Sequence, residues 1–473
     1  MTNPDSTAAG DNCHQVKSRW ALAGLSLSML LSSLGTSSAN VALPTLAQGF
    51  NASFQQVQWV VIAYLLAITT LIVSVGRLGD LTGRRRLLLV GIVLFTAASV
   101  LCGVAPTLWL LIAARALQGL GAAIMMALTI AFVGEIVPKS KTGSAMGLLG
   151  TMSAVGTALG PSVGGLLIAG VGWRAIFLVN VPLGILTFLL AYRNLPADDR
   201  GPPSESAAFD AMGTLLLAIA LAAYALTITM WNDGFSSLNL VLLSVAVLGA
   251  GLFVLVESRA ASPLIRWAMF REPGLSASLA MSALVSTVMM ATLVVGPFYL
   301  SRALALNAAF VGVVMSIGPI ASMMIGVPAG RYVDRLGVPF MTVVGLIEMA
   351  VGLIGLAVLP PIFGIAGYIA SVVVLSPGYQ MFQAANNTAV MMNVHPDQRG
   401  VVSGMLSLSR NLGLITGTAA MGAVFAFASA ASDITIALPE AVANGMRTTF
   451  AVATVLVIAA LAIASFGKFV SRR

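Results

Sequence analysis

Long apolar runs separated by short polar islands constrain this chain more than any other feature. The clearest island, Gly76–Arg86, reads GRLGDLTGRRR and lies between the apolar runs Gln58–Val75 and Leu87–Val104. Each run has about 18 residues, which is enough to cross the hydrocarbon core of a bilayer as a helix. The island carries four arginines and a single acid, Asp80. Such a cluster between two spanning helices is expected on the cytoplasmic side.

Composition extends this interpretation to the whole chain. Of its 473 residues, 58% are hydrophobic and 8% are charged, whereas about a quarter of the residues in a soluble domain are charged. A large soluble enzyme is therefore excluded. The net charge of +8 comes from bases in short loops, so we expect contact with anionic lipid rather than with nucleic acid. The two histidines, His14 and His395, form no ligand cluster, and we expect no catalytic group, metal site or cofactor.

The apolar runs predict an all-α polytopic membrane protein with fourteen spans. Their predicted limits are 20–41, 58–75, 87–104, 108–133, 143–170, 174–192, 211–230, 238–257, 275–300, 308–328, 339–358, 362–391, 401–428 and 447–467. An even number of spans places both termini on one side. Of the 24 lysines and arginines, 19 lie on the side of Gly76–Arg86, and the opposite side has only Arg174, Arg302 and Arg447. The bias predicts cytoplasmic termini.

Glycine patterns recur along the chain at constant offsets. The first repeat relates Gly330, Asp334 and Gly337 to Gly76, Asp80 and Gly83, at an offset of 254. The second relates Gly400, Gly404, Gly413 and Gly417 to Gly143, Gly147, Gly156 and Gly160, at an offset of 257. The repeats pair span 2 with span 10 and span 5 with span 13, whereas a plain duplication of six spans would pair span 2 with span 8. Two spans, 7 and 8, are therefore inserted between two six-span halves.

This arrangement predicts the domain organisation. Parallel repeats are a known transporter plan, with the substrate site between the halves near the middle of the membrane. The polar residues Met1–Arg19 are expected to be disordered. The predicted divisions are a cytoplasmic tail (1–19), an N-terminal six-helix bundle (20–195), a cytoplasmic linker (196–209), two inserted helices (210–258) and a C-terminal six-helix bundle with its tail (259–473).

The first polar island resembles the signature loop of the major facilitator superfamily, G-x-L-x-D-x-x-G-R-R/K. The matching residues are Gly76, Leu78, Asp80, Gly83, Arg84 and Arg85. In that family the loop helps to latch the two halves on the cytoplasmic side, so the resemblance implies gating roles for Gly76, Asp80, Gly83, Arg84 and Arg85, and for Asp334 and Arg335 in the repeat. The alternative is an ordinary basic loop that follows the positive-inside rule.

Span 4 carries an arginine inside the membrane. The pattern is Leu111-x-x-x-Arg115-x-x-Gln118-Gly119-x-Gly121. A charge at this depth is costly and by default indicates a function. The pattern resembles a second motif of the superfamily, whose arginine is linked to proton coupling. The alternative is an arginine that ties helices together through backbone carbonyls.

Span 5 contains Gly156-x-x-x-Gly160-Pro161-x-x-Gly164-Gly165. Small residues at every fourth position allow close helix packing, and proline removes a backbone hydrogen bond. The pattern resembles the motif of drug:proton antiporters and implies a gating role for Gly160 and Pro161. Further segments resemble the fourteen-helix subfamily of these antiporters. They are Trp173-Arg174…Phe177…Asn180…Pro182 and Phe209-Asp210-x-x-Gly213.

One departure concerns the proton-coupling group. The usual first helix of that subfamily ends L-D-x-T-x-x-N-x-A-L-P, and here Gly35 replaces the aspartate. The carboxylate expected beside Arg115 is absent from this position. The acid nearest the middle of a span is Glu348, in span 11. We therefore name Arg115 and Glu348 as the proton-coupling candidates, with a structural or lipid-facing role as the alternative for Glu348.

Spans 1, 4, 9 and 12 line the cavity in this family, with spans 2, 5, 10 and 13 beside them. Aromatic, methionine and amide side chains there suit a large apolar pocket that accepts many ligands. The substrate-binding candidates are Asn40, Trp59, Tyr64, Gln118, Met290, Tyr299, Tyr379, Gln383 and Asn387. The alternative for each is packing and hydrogen bonding between helices.

The resemblance implies a secondary transporter of the bacterial inner membrane that exports amphipathic compounds by alternating access, with proton antiport as the energy source. Its partners are then a small amphipathic substrate, protons and membrane lipid, and the expected form is a monomer. Two alternatives remain. One is a dedicated exporter of a single metabolite, and the other is a membrane sensor or scaffold that transports nothing.

The topology is directly testable. We expect reporter fusions at Met1 and at Arg473 to respond as cytoplasmic, because of the bias of 19 basic residues against three. A periplasmic response from either terminus would contradict the predicted topology.

Overall fold

A computed structural model describes residues 4–72, 74–137, 142–198, 211–229, 237–259, 272–392, 399–429 and 437–470. Within these ranges, thirteen helices are long and apolar enough to cross a membrane, and a shorter apolar helix covers Met212–Ile228. Each of the fourteen predicted spans thus coincides with an apolar helix. The fold class is confirmed, and the chain is a multi-pass membrane protein.

The first eight helices hold predicted spans 1–6. They are α1 (Pro4–Phe50), α2 (Phe54–Ile72), α3 (Val75–Thr82), α4 (Arg84–Val104), α5 (Leu108–Ile136), α6 (Thr142–Gly170), α7 (Ala175–Leu178) and α8 (Asn180–Asn194). Helices α1, α2, α4, α5, α6 and α8 pack against one another as one group.

The remaining helices hold spans 7–14. They are α9 (Ala211–Thr229), α10 (Ser237–Arg259), α11 (Pro273–Phe298), α12 (Ala308–Leu336), α13 (Val338–Val358), α14 (Pro360–Met392), α15 (Arg399–Thr416), α16 (Gly422–Ala428) and α17 (Pro439–Val470). Short π-helical segments follow α11 at Tyr299–Ala303 and α15 at Gly417–Met421. Helix α9 packs against α10 and α2. The predicted linker lies outside the described residues beyond Asp198.

Two local predictions were wrong. The polar tail was expected to be disordered, but α1 is helical from Pro4, because adding residues to an existing helix costs little compared with starting one. The island Gly76–Arg86 was expected to be a loop, but most of it forms α3, which ends at Gly83 with φ +94°. Only this glycine breaks the helix, because positive φ is readily available to glycine alone.

Helices α1 and α6 approach each other backbone to backbone. A Cβ on Gly156 would overlap the carbonyl oxygen of Leu30, and a Cβ on Gly160 would overlap the side chain of Ser37. The Ser37 hydroxyl donates to the carbonyl oxygen of Gly156 at 3.1 Å. The small residues of the span 5 motif therefore serve close packing, as the sequence predicts.

The two halves meet at the end of the bundle that carries residues 51–53, called here the Asn51 end. The carbonyl oxygen of Pro161 on α6 occupies the place where a Cβ on Gly312 of α12 would lie. Gln58 Nε2 donates to the carbonyl oxygen of Thr418 at 2.8 Å. The ring of Phe54 contacts those of Phe298 and Phe425 edge-on, with centroids 4.7 and 5.7 Å away. These contacts join α2 and α6 to the second half of the chain.

Close packing of α1 on α6 predicts a difference between two glycines of one helix. We expect Gly156→Ala to lower the free energy of unfolding by about 1–3 kcal/mol, because the new methyl group overpacks the interface. The matched control is Gly150→Ala, since a Cβ at Gly150 meets no atom within 4 Å. Thermal unfolding of the purified variants measures both effects. Equal losses in the two variants would show that the α1–α6 contact tolerates a methyl group.

Candidate functional site

Arg115 is the centre of the candidate site. It lies on α5 and is fully buried. Its Nε donates to the carbonyl oxygen of Val60 at 2.8 Å, and its Nη1 donates to the carbonyl oxygen of Gly35 at 3.0 Å. These bonds reach α2 and α1, respectively. One guanidinium group therefore connects three helices of the first half, which is the alternative that the sequence left open for this residue.

Two aromatic rings also lie close to this cation. The guanidinium carbon lies 4.0 Å from the ring centroid of Tyr64 and 5.9 Å from that of Phe177. A desolvated cation over a ring face gains about 2 kcal/mol. The Tyr64 hydroxyl donates to the carbonyl oxygen of Ser32 at 2.8 Å, which fixes the ring. Tyr64 is fully buried, so in this structure it contacts Arg115 rather than an open cavity.

The surroundings of Gly35 show which groups lie where the side chain of an aspartate would begin. A Cβ at this position would lie 3.0 Å from the Tyr64 hydroxyl oxygen and 3.3 Å from Cζ of Phe95. The Tyr64 hydroxyl and the Phe95 ring would therefore have to shift by a few tenths of an ångström to admit a side chain at this position. The Arg115 charge is balanced here by carbonyl dipoles and ring faces.

Gln118 holds Arg115 from the same helix. Its Oε1 accepts from Arg115 Nη1 at 2.6 Å, and its Nε2 donates to Ser99 Oγ at 2.7 Å. The Ser99 hydroxyl in turn donates to the carbonyl oxygen of Phe95 at 2.7 Å. Both ends of the Gln118 amide are thus occupied, which makes this predicted substrate ligand a positioning residue for Arg115 in the present conformation.

The other substrate-binding candidates divide by exposure. Asn40, Met290 and Tyr299 are buried: Asn40 Nδ2 donates to the carbonyl oxygen of Thr36 at 3.0 Å, and Tyr299 stacks on Tyr368 with centroids 6.3 Å apart. The candidates that present open surface are half-buried Trp59, Tyr379 and Gln383 and exposed Asn387.

Glu348, the second proton-coupling candidate, lies in a different part of the helix bundle from Arg115. It is half-buried on α13, and its Cβ faces Gly378 of α14. Helix α13 packs on α14, α17 and α12, whereas α5 packs mainly on α4, α2 and α1. The structure therefore does not bring Glu348 and Arg115 into one cluster.

The gating candidates of the polar island and of its repeat lie at or near two related helix junctions. Gly83 joins α3 to α4 with φ +94°, and Gly337 joins α12 to α13 with φ +85°. The same backbone conformation at both positions agrees with the sequence repeat. Arg335 is exposed, and the backbones of Gly76, Asp80 and Asp334 are helical, while the side chains of Asp80 and Asp334 lie outside the described residues.

Sequence reasoning missed the acid that contacts the first junction. Asp198 accepts hydrogen bonds from the backbone N–H groups of Arg85 at 2.8 Å and Arg86 at 3.1 Å, and it thereby caps the positive end of α4. Arg85 also donates through Nη2 to the carbonyl oxygen of Tyr192 at 2.6 Å. The sequence signal that could have identified it is an acid just after span 6, on the same predicted side of the membrane as the arginines of the polar island.

The Arg115 cluster predicts a measurable cost. Gln118→Leu leaves Nη1 of Arg115 with one acceptor fewer in a buried place, so we expect a loss of about 1–3 kcal/mol in the free energy of unfolding. Gln118→Glu retains the acceptor atom and supplies a negative charge, and is expected to retain more stability than the leucine variant. Thermal unfolding of both variants tests this. A fully stable Gln118→Leu would show that the Gln118 bond does not position Arg115.

Comparisons with known proteins place the chain among transporters. Riboflavin transporter RibZ of Clostridioides difficile (strain 630) is 29% identical over 412 residues, which cover 87% of this chain and 89% of that protein. Multidrug resistance protein Stp of Mycobacterium tuberculosis (strain ATCC 25618 / H37Rv) is 31% identical over 412 residues, which cover 85% of this chain and 74% of that protein.

A solved structure shares the fold. The crystal structure of a peptide transporter, POT, in complex with sulfate superimposes with a TM-score of 0.70 at 15% identity, over 94% of each chain. The sequence profile described as Major Facilitator Superfamily matches residues 25–418. With most of the chain matched, this protein is a member of the major facilitator superfamily, a family of transporters.

Proposed function

We propose that this transporter exports amphipathic drugs or other toxic compounds by alternating access. The observation that carries the proposal is the buried Arg115, held by α1, α2 and Gln118, in a chain similar to multidrug resistance protein Stp. A charge kept so deep needs a reason beyond packing, because apolar residues pack a membrane bundle at lower cost. Substrate reaches the site from the membrane or cytoplasm and leaves on the other side.

Proton antiport is the proposed energy source. Arg115 is the residue that matches the coupling motif, and Glu348 is a carboxyl group in a span that can carry a proton. The two lie on helices that do not pack together. Coupling between them therefore runs through movement of the helix bundles rather than through direct proton exchange.

The remaining architecture belongs to the same proposal. Two six-helix bundles with α9 and α10 inserted move against each other, both termini face the cytoplasm, and the protein works as a monomer. The junctions at Gly83 and Gly337, with Asp80, Asp334 and their arginines, latch the cytoplasmic side. The close contacts of Gly160 with α1 and of Pro161 with α12 guide the movement at the Asn51 end of the bundle.

The site also sets a substrate preference. A carboxylate in a low-dielectric cavity attracts cations far more strongly than neutral dipoles do, and Gly35 supplies none. Dications lose most from this change, because they need two charges balanced. Monocations can still rest on a ring face such as that of Trp59 or Tyr379. Neutral and monocationic compounds are therefore the favoured substrates.

Flux into proteoliposomes tests the function. We expect an imposed pH gradient to drive transport of the monocation ethidium, and Arg115→Ala to reduce this flux to the level of protein-free liposomes. The matched control is Arg447→Ala, which removes one positive charge at an exposed position of α17 and is expected to transport normally. A dicationic compound of similar size is expected to move more slowly than ethidium in wild-type protein.

Three results would contradict parts of this proposal. Flux that does not depend on the pH gradient contradicts proton antiport but remains consistent with export. Normal gradient-driven flux in Arg115→Ala assigns Arg115 a structural role only. Fast dication export by the wild type would mean that a carboxylate other than one at position 35 reaches the substrate. Thermal unfolding of each variant separates loss of transport from loss of fold.

A second candidate function is export of a single metabolite. The observation in its favour is the riboflavin transporter RibZ, whose sequence aligns with 87% of this chain. A resistance profile in a host that lacks its own drug pumps separates the two functions. Protection against several unrelated compounds supports multidrug export, whereas no protection together with flux of one vitamin-like compound such as riboflavin supports the dedicated exporter.

A further inference from the structure

A polar cavity lies between the two halves at the Asn51 end of the bundle. Its volume is about 300 Å³. Helix α1 contributes Pro44, Thr45 and Gln48 to one wall, and the opposite wall includes Ser301 and Arg302 of the π-helical segment and Asn307. We call it the mouth cavity. It is separate from the Arg115 cluster, which lies deeper along α1, at Gly35.

Irregular backbone on the second half creates this space. The π-helical segment Tyr299–Ala303 ends α11, and the N–H of Leu306 donates to the carbonyl oxygen of Leu300 at 3.0 Å. Ala305, inside this turn, has φ +52°. Such π-helical segments occur frequently at functional sites. The π-helical segment places Ser301 and Arg302 in the wall opposite α1, and the turn after it ends the helix.

Among the described residues that line the mouth cavity, the charge has one sign. Arg302 lines it, and the ten lining residues include no aspartate or glutamate. Arg302 is also one of only three bases on the poorly basic side of the predicted topology. Because bases are enriched on the cytoplasmic side, the orientation of the chain does not explain an arginine in this cavity.

The start of α12 adds a second source of positive potential. Asn307 caps this helix, and its side chain accepts from the N–H of Phe310 at 3.0 Å. A helix supplies no acceptor for the N–H groups of its first turn, and Ala308, the first residue of α12, lines the cavity. Helix N-termini favour anions. Arg302 and the N-terminus of α12 therefore act on the same space.

We propose that the mouth cavity binds a small amphipathic monoanion of the carboxylate class. The carboxylate contacts Arg302 and the first turn of α12, with Ser301 and Gln48 as further hydrogen-bond donors. The apolar part lies against Val41, Leu306 and Val311. Such a ligand bridges α1 and α12 and therefore holds the two halves together at the Asn51 end. It slows each transport cycle in which this end must open. The site requires neither proton coupling nor drug export.

The test uses benzoate, with benzamide and benzylammonium as matched neutral and cationic probes. Binding is measured by calorimetry on the full chain in phosphatidylcholine nanodiscs at constant ionic strength. We expect benzoate to bind and the other two probes to bind much more weakly. Arg302→Gln is expected to weaken benzoate binding roughly tenfold to a hundredfold, since hydrogen bonds to charged groups are the stronger ones. Arg447→Gln, which removes a charge from the same predicted side, leaves benzoate binding unchanged.

A second variant locates the site independently of Arg302. Thr45→Phe fills the cavity from α1 and keeps every charge, so it is expected to abolish benzoate binding. Nanodiscs with phosphatidylglycerol distinguish a lipid headgroup from a free solute, because a headgroup phosphate that occupies the same place competes with benzoate in wild-type protein. Equal binding of benzoate and benzamide, unchanged binding in Arg302→Gln, or unchanged binding in Thr45→Phe would each overturn the proposal.

Discussion

The first half of this protein depends on how a single cation is kept inside a membrane. Arg115 is fully buried, and a charge at such a depth persists only where polar groups replace water. Backbone carbonyls of Gly35 and Val60 provide these groups, and they fix the relative positions of α1, α2 and α5. The Tyr64 ring covers the guanidinium face. Any movement that exposes Arg115 must therefore also separate these helices.

Close backbone contacts complement this polar core. Gly156 and Gly160 bring α6 against α1, and Gly312 brings α12 against α6 at Pro161. Lipid chains are as apolar as leucine, so association of membrane helices relies on packing at short distance. Polar contact occurs where the halves meet, through Gln58 and the carbonyl oxygen of Thr418. The interface between the halves therefore combines the Gln58 hydrogen bond and the Phe54 ring contacts with the close backbone contact of Gly312 and Pro161.

Sequence predicted the helices and the helix-packing glycines because hydrophobic length and small-residue spacing are local signals. It also placed Gly83 and Gly337 in equivalent positions, and both have positive φ. It failed for contacts that depend on tertiary geometry. Gln118 faces Arg115 because residues three apart share a helix face, yet only the fold shows that Ser99 occupies the other end of its amide. The capping role of Asp198 is non-local as well, since more than a hundred residues separate it from the N-terminus of α4.

The groups around Gly35 limit how a carboxylate can be introduced at this position. The Tyr64 hydroxyl and the Phe95 ring lie close to Gly35, so an aspartate there would require both groups to shift by a few tenths of an ångström. With Gly35 at this place Arg115 has no titratable partner at position 35, so the proton antiport proposed above requires a group elsewhere. Glu348, the proposed group, lies on α13, which packs on α14, α17 and α12, so the proposal couples the two residues through the relative motion of the two halves.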